Sequence, residues 1–186
     1  MKLLSLLFLS SIFILGCSPQ QNKPYEEKTL EFYNWYLKDH YYKESMYFNP
    51  NFKLDKDSIY QLDTSEYFTK LRSSGYFSKE FLSNWETRFT NCNKNLKTVS
   101  YQSVQECGCA PTDGVENCEF TFYDIFLRHQ GETTDSITVL ESSLNANIAK
   151  VKLGILENKK DPNSIIMNLE VKLTKENNNW KISSIQ

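Results

Sequence analysis

The chain has 186 residues, with 21 Lys and Arg against 23 Asp and Glu, for a formal net charge of −2. That balance, without a basic block or a glycine-rich basic tail, excludes the electrostatic footprint of a nucleic-acid binder. Aromatic residues make up 14% of the chain, so many of its 11 Tyr and 12 Phe must line a core or a concave surface.

The chain opens with Lys2 and a mostly apolar run, residues 3–16, broken only by Ser5, Ser10 and Ser11. One positive charge before such a run is a signal-peptide layout. A spanning helix needs about 20 apolar residues, more than this run supplies. Ile14-Leu15-Gly16-Cys17 resembles the bacterial lipobox: a branched apolar residue, a small residue before the cut, and a cysteine after it. The thiol is the nucleophile that receives diacylglycerol, and the small residue lets the peptidase reach the bond. Leu15 is bulkier than the residue usual at its place. The expected organisation is a cleaved signal peptide (1–16), a lipidated flexible tether (17–24) and one α+β domain (25–186). Cleavage removes only Lys2 from the charged set and leaves enough chain for a single substantial core. Ser18, rather than Asp, after the cysteine points to the outer membrane, with the domain facing the periplasm. The tether is polar, with Pro19 and Pro24 and no apolar residue between them.

A first helix is expected over residues 24–42. Pro24 opens it, Glu26 and Glu27 suit its first turn, and Lys38 and His40 its last. Leu30, Tyr33, Leu37 and His40 share one face, widened by Trp35 and Tyr36. Residues 43–62 read as irregular, with Asn49-Pro50-Asn51 as a turn and Asp55 and Asp57 in a solvated turn too poor in oxygen ligands for Ca²⁺. Tyr41, Tyr42, Tyr47 and Phe48 are candidates for a contact surface. Asp63-Thr64-Ser65-Glu66 reads as a capping box opening a helix that Ser74-Gly75 closes. Ser78 caps the next helix, with Phe81, Leu82, Trp85 and Phe89 as its apolar stripe.

Four cysteines follow in the expected exported domain: Cys92, Cys107, Cys109 and Cys118. An even number in an exported chain implies two disulfides, with three connectivities open. A Cys107–Cys109 bond would close a very tight ring, so Cys92 and Cys118 are each expected to bond one member of the pair. The alternative, a four-thiolate zinc site, normally uses C-x₂₋₄-C knuckles, and no metal is expected. Pro111 and Asp113-Gly114 suggest a stapled loop over 92–117, with at most a short strand near 98–102.

From Glu119 onward the period becomes two. Phe120, Phe122 and Phe126 are expected on one face of a strand, with Tyr123, Ile125 and Leu127 on the other. Further strands carry Ile137 and Val139, then Ala149, Val151, Leu153 and Ile155. The clearest has Ile165, Met167, Leu169, Val171 and Leu173 inward, and a turn at Glu176–Asn179 leads to the last, residues 180–185. Helices first and a strand meander second imply an α+β domain: a curved antiparallel sheet packed on N-terminal helices.

Three segments carry a family resemblance: FYNWYL (32–37), FYDIFLRHQ (122–130) and LEVKLTKENNNWKISSI (169–185). Their order resembles the domain-of-unknown-function family numbered 3828, found mainly in exported bacterial lipoproteins. The resemblance implies a cystatin-like, nuclear-transport-factor-2-like cone over nearly all of the mature chain. Its middle motif, Asp-x-Phe-x-x-x-Gln, is matched by Asp124, Phe126 and Gln130, while Gly131 stands where the family often has an acidic residue. The family has no agreed activity, so no catalytic role carries over.

Cones of this class have a pocket between sheet and helix, for which Tyr33, Tyr36, Tyr123, Asp124, His129 and Gln130 are the candidate lining residues. Asp124 breaks the apolar pattern, and a buried carboxylate needs a partner. His40 and His129, the two histidines, suit structural or solvated roles at element ends. Hydrolase, metalloprotease and nucleotide-binding motifs are lacking. The expected function is therefore a non-catalytic, membrane-anchored binding module without a cofactor, whose target is an envelope protein, a toxin or a small ligand. The alternative is a small pocket enzyme of the isomerase or dehydratase type using Asp124.

Overall fold

The computed structural model describes residues 23–41, 50–122, 124–128 and 134–186, and of residues 40, 41, 120 and 122 only the backbone. It is an α+β structure in which an N-terminal helix packs against an antiparallel sheet. Helix α1 (Pro24–Tyr36) starts on the proline, whose fixed φ and missing N–H suit a first turn. The next turn is wider: Leu37–Tyr41 is π-helical rather than a continuation of the α-helix, and the adjacent Tyr36 and Leu37 are both buried. The buried face is Tyr25, Thr29, Phe32, Tyr33 and Tyr36. Leu30, expected in its centre, is half-buried at the flank, because the fully buried Phe32 shifts the stripe. The side chains of His40 and Tyr41, and all of Tyr42, Tyr47 and Phe48, lie outside the described residues.

The stretch expected to be irregular contains a hairpin of β1 (Asn51–Leu54) and β2 (Tyr60–Asp63). Asp55 makes its turn by accepting from the backbone N–H of Asp57 and of Ile59, each at 2.9 Å. Helix α2 (Ser65–Ser74) ends on Gly75, whose φ of 70° is the left-handed conformation that favours glycine. The expected capping box does not form: Thr64 stands at the N-cap without a side-chain cap, and Asp63 instead accepts from the backbone and hydroxyl of Ser65 at 3.3 and 2.9 Å. Glu66 turns instead to Lys70, one helical turn on, at 3.3 Å.

Ser78 caps α3 (Lys79–Leu96) as expected, accepting from the backbone N–H of Phe81 at 3.0 Å. The helix runs further than expected, because Cys92 and Leu96 continue the face of Phe81, Trp85 and Phe89 at helical spacing. Where a loop with a short strand was expected, α4 (Tyr101–Cys107) forms, capped by Ser100, which accepts from Ser103 N–H at 3.1 Å.

The main sheet has the order β3 (Ser136–Asn145), β4 (Ile148–Leu156), β5 (Ile165–Glu176), β6 (Asn179–Ile185), all antiparallel neighbours. Ala149, Val151, Leu153 and Ile155 point inward opposite Leu173, Val171, Leu169 and Met167. A bulge in each ladder breaks the register and bends the strands. The bulge at Ile155/Leu156 turns Ile165 to the outer face, where it lies over Gly154 beside Leu140 instead of facing the core. The last turn has φ of 48° and 65° at Asn177 and Asn178, as a two-residue hairpin turn with both centres left-handed requires. Residues 76–78 add to the outer edge of β6: Ile182 donates to Tyr76 O at 2.8 Å, and Ser78 donates to Ile182 O at 2.9 Å.

Among the described residues of 119–127 no strand forms. Glu119–Phe122 is a 3₁₀ turn, followed by a tight turn at 125–127. Phe126 is nevertheless fully buried, with its ring 5.3 Å from Phe32, 4.9 Å from Tyr36 and 5.6 Å from Phe77. Phe77 in turn lies 5.2 Å from Phe32 and 4.6 Å from Phe81. This aromatic centre, between α1, α3 and the sheet, absorbs much of the high Tyr and Phe content.

Candidate functional site

Among the described residues Asp124 is the one carboxylate placed at the centre of the aromatic core, and it is 1% exposed. Its Oδ1 accepts from Phe126 N–H at 2.9 Å and from Leu127 N–H at 2.8 Å. Its Oδ2 accepts from the Tyr36 hydroxyl of α1. The carbonyl of Asp124 also accepts from Arg128 N–H at 2.6 Å, which closes the turn on a residue with φ of 61°. One side chain therefore supplies the acceptors that a strand partner would otherwise supply, and this is why the expected strand is a turn.

The Tyr33 hydroxyl, one residue-face along α1, donates to Phe126 O at 3.0 Å. Burial pushes its pKa well above the ordinary tyrosine value, and the Asp124 charge pushes it further. The same two causes, in the same order, raise Tyr67 of α2. The structure brings Tyr33, Tyr36 and Asp124 together in a closed hydrogen-bonded knot. Tyr123, His129 and Gln130, the other expected lining residues, lie outside the described residues.

The cysteines pair differently from the expectation. Cys92 bonds Cys118, and Cys107 bonds Cys109. Cys92 sits on the inner face of α3 and Cys118 before the 3₁₀ turn, both without solvent exposure, with Cα atoms 4.9 Å apart. Cys107 and Cys109 flank Gly108, whose φ of 62° ends α4 and folds the chain back so that their Cα atoms are 5.2 Å apart. The tight ring closes because a left-handed glycine stands at its centre. With all four sulfurs bonded in pairs, none is left as a thiolate for zinc, and among the described residues no cluster of His, Cys, Asp or Glu could hold a metal.

The open counterpart of this knot is a cleft of about 440 Å³ between the β1–β2 hairpin and α3. Asp55, Tyr60 and Gln61 line it from the hairpin, Thr90 and Lys94 from the helix, and Lys97 from the residue that caps the helix end. Asn93 fixes the two walls by accepting from Leu62 N–H at 2.6 Å and donating to Leu62 O at 3.0 Å. Beside the cleft an aromatic ledge is exposed: Phe52 packs edge-on to Tyr60, and Tyr60 stacks on Tyr101, both at 6.4 Å between ring centres. Leu54 is exposed on the same short strand as Phe52.

Sequence reasoning missed this surface. Its signal was the alternation of Phe52 and Leu54 before an Asp-Lys-Asp-Ser turn, too short to stand out as a strand. Among the described residues no helix is long and apolar enough to cross a membrane. Compared with family models, with curated proteins and with solved structures, the chain has no significant match.

Proposed function

We propose that this chain is an exported lipoprotein, acylated at Cys17 after removal of residues 1–16, whose α+β domain works by binding. The observation that carries the reading is Ile14-Leu15-Gly16-Cys17 at the end of a short apolar run preceded by Lys2. The pairing of the four later cysteines supports it, since disulfides persist in an oxidising compartment. The resemblance to the family numbered 3828 points the same way, and Ser18 favours the outer membrane with the domain in the periplasm.

Partner contact is assigned to the ledge of Phe52, Leu54, Tyr60 and Tyr101 with its adjoining cleft. Tyrosine and phenylalanine are enriched where proteins meet, and the two lysines of the cleft favour an envelope protein or small ligand with an acidic group. The sealed carboxylate of Asp124 counts against the isomerase or dehydratase alternative. A general acid or base must come within hydrogen-bond reach of its substrate, and both oxygens of Asp124 already serve the fold.

Metabolic labelling with a fatty-acid analogue tests the anchor: the wild-type chain takes the tag and Cys17→Ser does not. Equal labelling of both overturns the reading.

A further inference from the structure

The lipid anchor, if attached at Cys17, also dictates which end of the domain meets the bilayer. Only residues 18–22 separate Cys17 from Lys23, the first described residue. Six Cα-to-Cα steps reach at most about 20 Å when fully extended. The start of α1 is therefore held close to the lipid surface.

That start is pinned to one end of the sheet. Lys23 Nζ donates to Ser142 Oγ on β3 at 2.8 Å, and the Ser142 hydroxyl donates to Glu26. Four residues beyond Ser142 the β3–β4 hairpin turns, with Ala146 at a φ of 51°. Leu144 pairs with Ala149, and Ile148 with Asn145, so the two apolar side chains stand at consecutive pairs on opposite faces of the tip. They are 52% and 51% exposed, the most exposed large apolar residues among those described. The tip of the β5–β6 hairpin lies at the same end: Lys175 N–H donates to Asn147 O at 3.2 Å, and Tyr25 of α1 packs 5.5 Å from Trp180.

We propose that the β3–β4 tip is a membrane-contacting wedge, in which Leu144 and Ile148 dip into the lipid interface beside the anchor. The inference rests on the Cys17 reading. Two half-exposed aliphatic side chains would bind a free domain weakly. A short tether makes the contact intramolecular, so weak affinity suffices to orient the domain. Lys23 is already paired with Glu26 at 3.4 Å, so the contact depends on apolar burial more than on anionic headgroups. The β4–β5 loop, at the other end of the nine-residue β4, lies about 30 Å from the tip.

The test uses the full chain, acylated in cells and purified into phosphatidylcholine vesicles whose acyl chains carry shallow nitroxides. A fluorophore is placed at Leu144→Cys, at Ile148→Cys or, as control, at Lys160→Cys in the β4–β5 loop. Mass spectrometry establishes the acyl group on Cys17 in each preparation. Quenching at 144 and 148 should exceed that at 160 by at least about twofold, as insertion by several ångströms implies. Equal quenching at all three sites, or protection at 144 and 148 by a second copy, on a chain carrying its acyl group overturns the wedge and leaves the anchor standing. A chain without an acyl group overturns both.

Discussion

Strand β5 and residues 118–128 look alike as amino-acid strings, since each alternates apolar residues with others, yet β5 is a strand and the described residues of 118–128 form none. In β5 the alternate positions are Asn168, Glu170, Lys172 and Thr174, whose side chains sit on the outer face. Glu170 there reaches across to Lys150 at 3.3 Å, and the backbone stays free for the ladder. In 118–128 the interrupting residue is Asp124, whose short carboxylate takes the two backbone N–H groups that a ladder would have used. The difference is a competition for backbone donors. A long polar side chain leaves them to the neighbouring strand, and a short acceptor close to the chain captures them.

The sharpest way to break this comparison is Asp124→Ala. It leaves the Tyr36 hydroxyl and two N–H groups without their acceptor in the core, so a loss of about 3–5 kcal/mol in urea unfolding is expected. Glu170→Ala on β5 removes only an exposed pair and should cost under about 1 kcal/mol. Similar losses for the two would show that Asp124 does not organise the turn.

The disulfides extend the contrast between buried and open parts of the same segment. Replacing Cys92 and Cys118 together by Ala releases a loop of sequence separation 26, worth about 3–4 kcal/mol by chain entropy. Replacing Cys107 and Cys109, which enclose one residue, should change stability far less. Mild reductant followed by alkylation should label 107 and 109 first, because Cys107 is exposed and the other bond is shielded. Labelling of 92 and 118 first would reverse the assignment.

The smallest expected effect is alkaline. Tyr33 and Tyr67 keep their protons to higher pH when folded than when unfolded, through burial first and the Asp124 charge second. Their contribution to stability is constant below the ordinary tyrosine pKa of about 10. Above it the unfolded chain loses protons that the folded chain retains, so stability falls as pH rises. Phenolate absorbance should show these two tyrosines titrating only with unfolding. In Asp124→Asn the fall should start at the same pH but be smaller and level off sooner, because the folded tyrosines lose the charge that helps hold their protons. An unchanged profile would remove Asp124 from the cause.

Elements whose signal is local were legible in the amino-acid order: the proline start of α1, the Ser78 cap, the inward set of β4 and the Asn177-Asn178 turn. Each follows from backbone rules acting within a few residues. The α+β class followed from their sequence of types. So did the isolation of Asp124 in an apolar pattern, although whether it faced a pocket or a knot did not.

Tertiary structure alone decided the rest. The partner of Cys92 depends on which face of α3 is buried, and the turn at 124–127 on the Tyr36 hydroxyl meeting Asp124 across 88 residues of chain. The outward turn of Ile165 depends on a bulge opposite β4. These outcomes are set by which distant groups share a dry interior, where an unpaired polar group costs more than a local preference can supply.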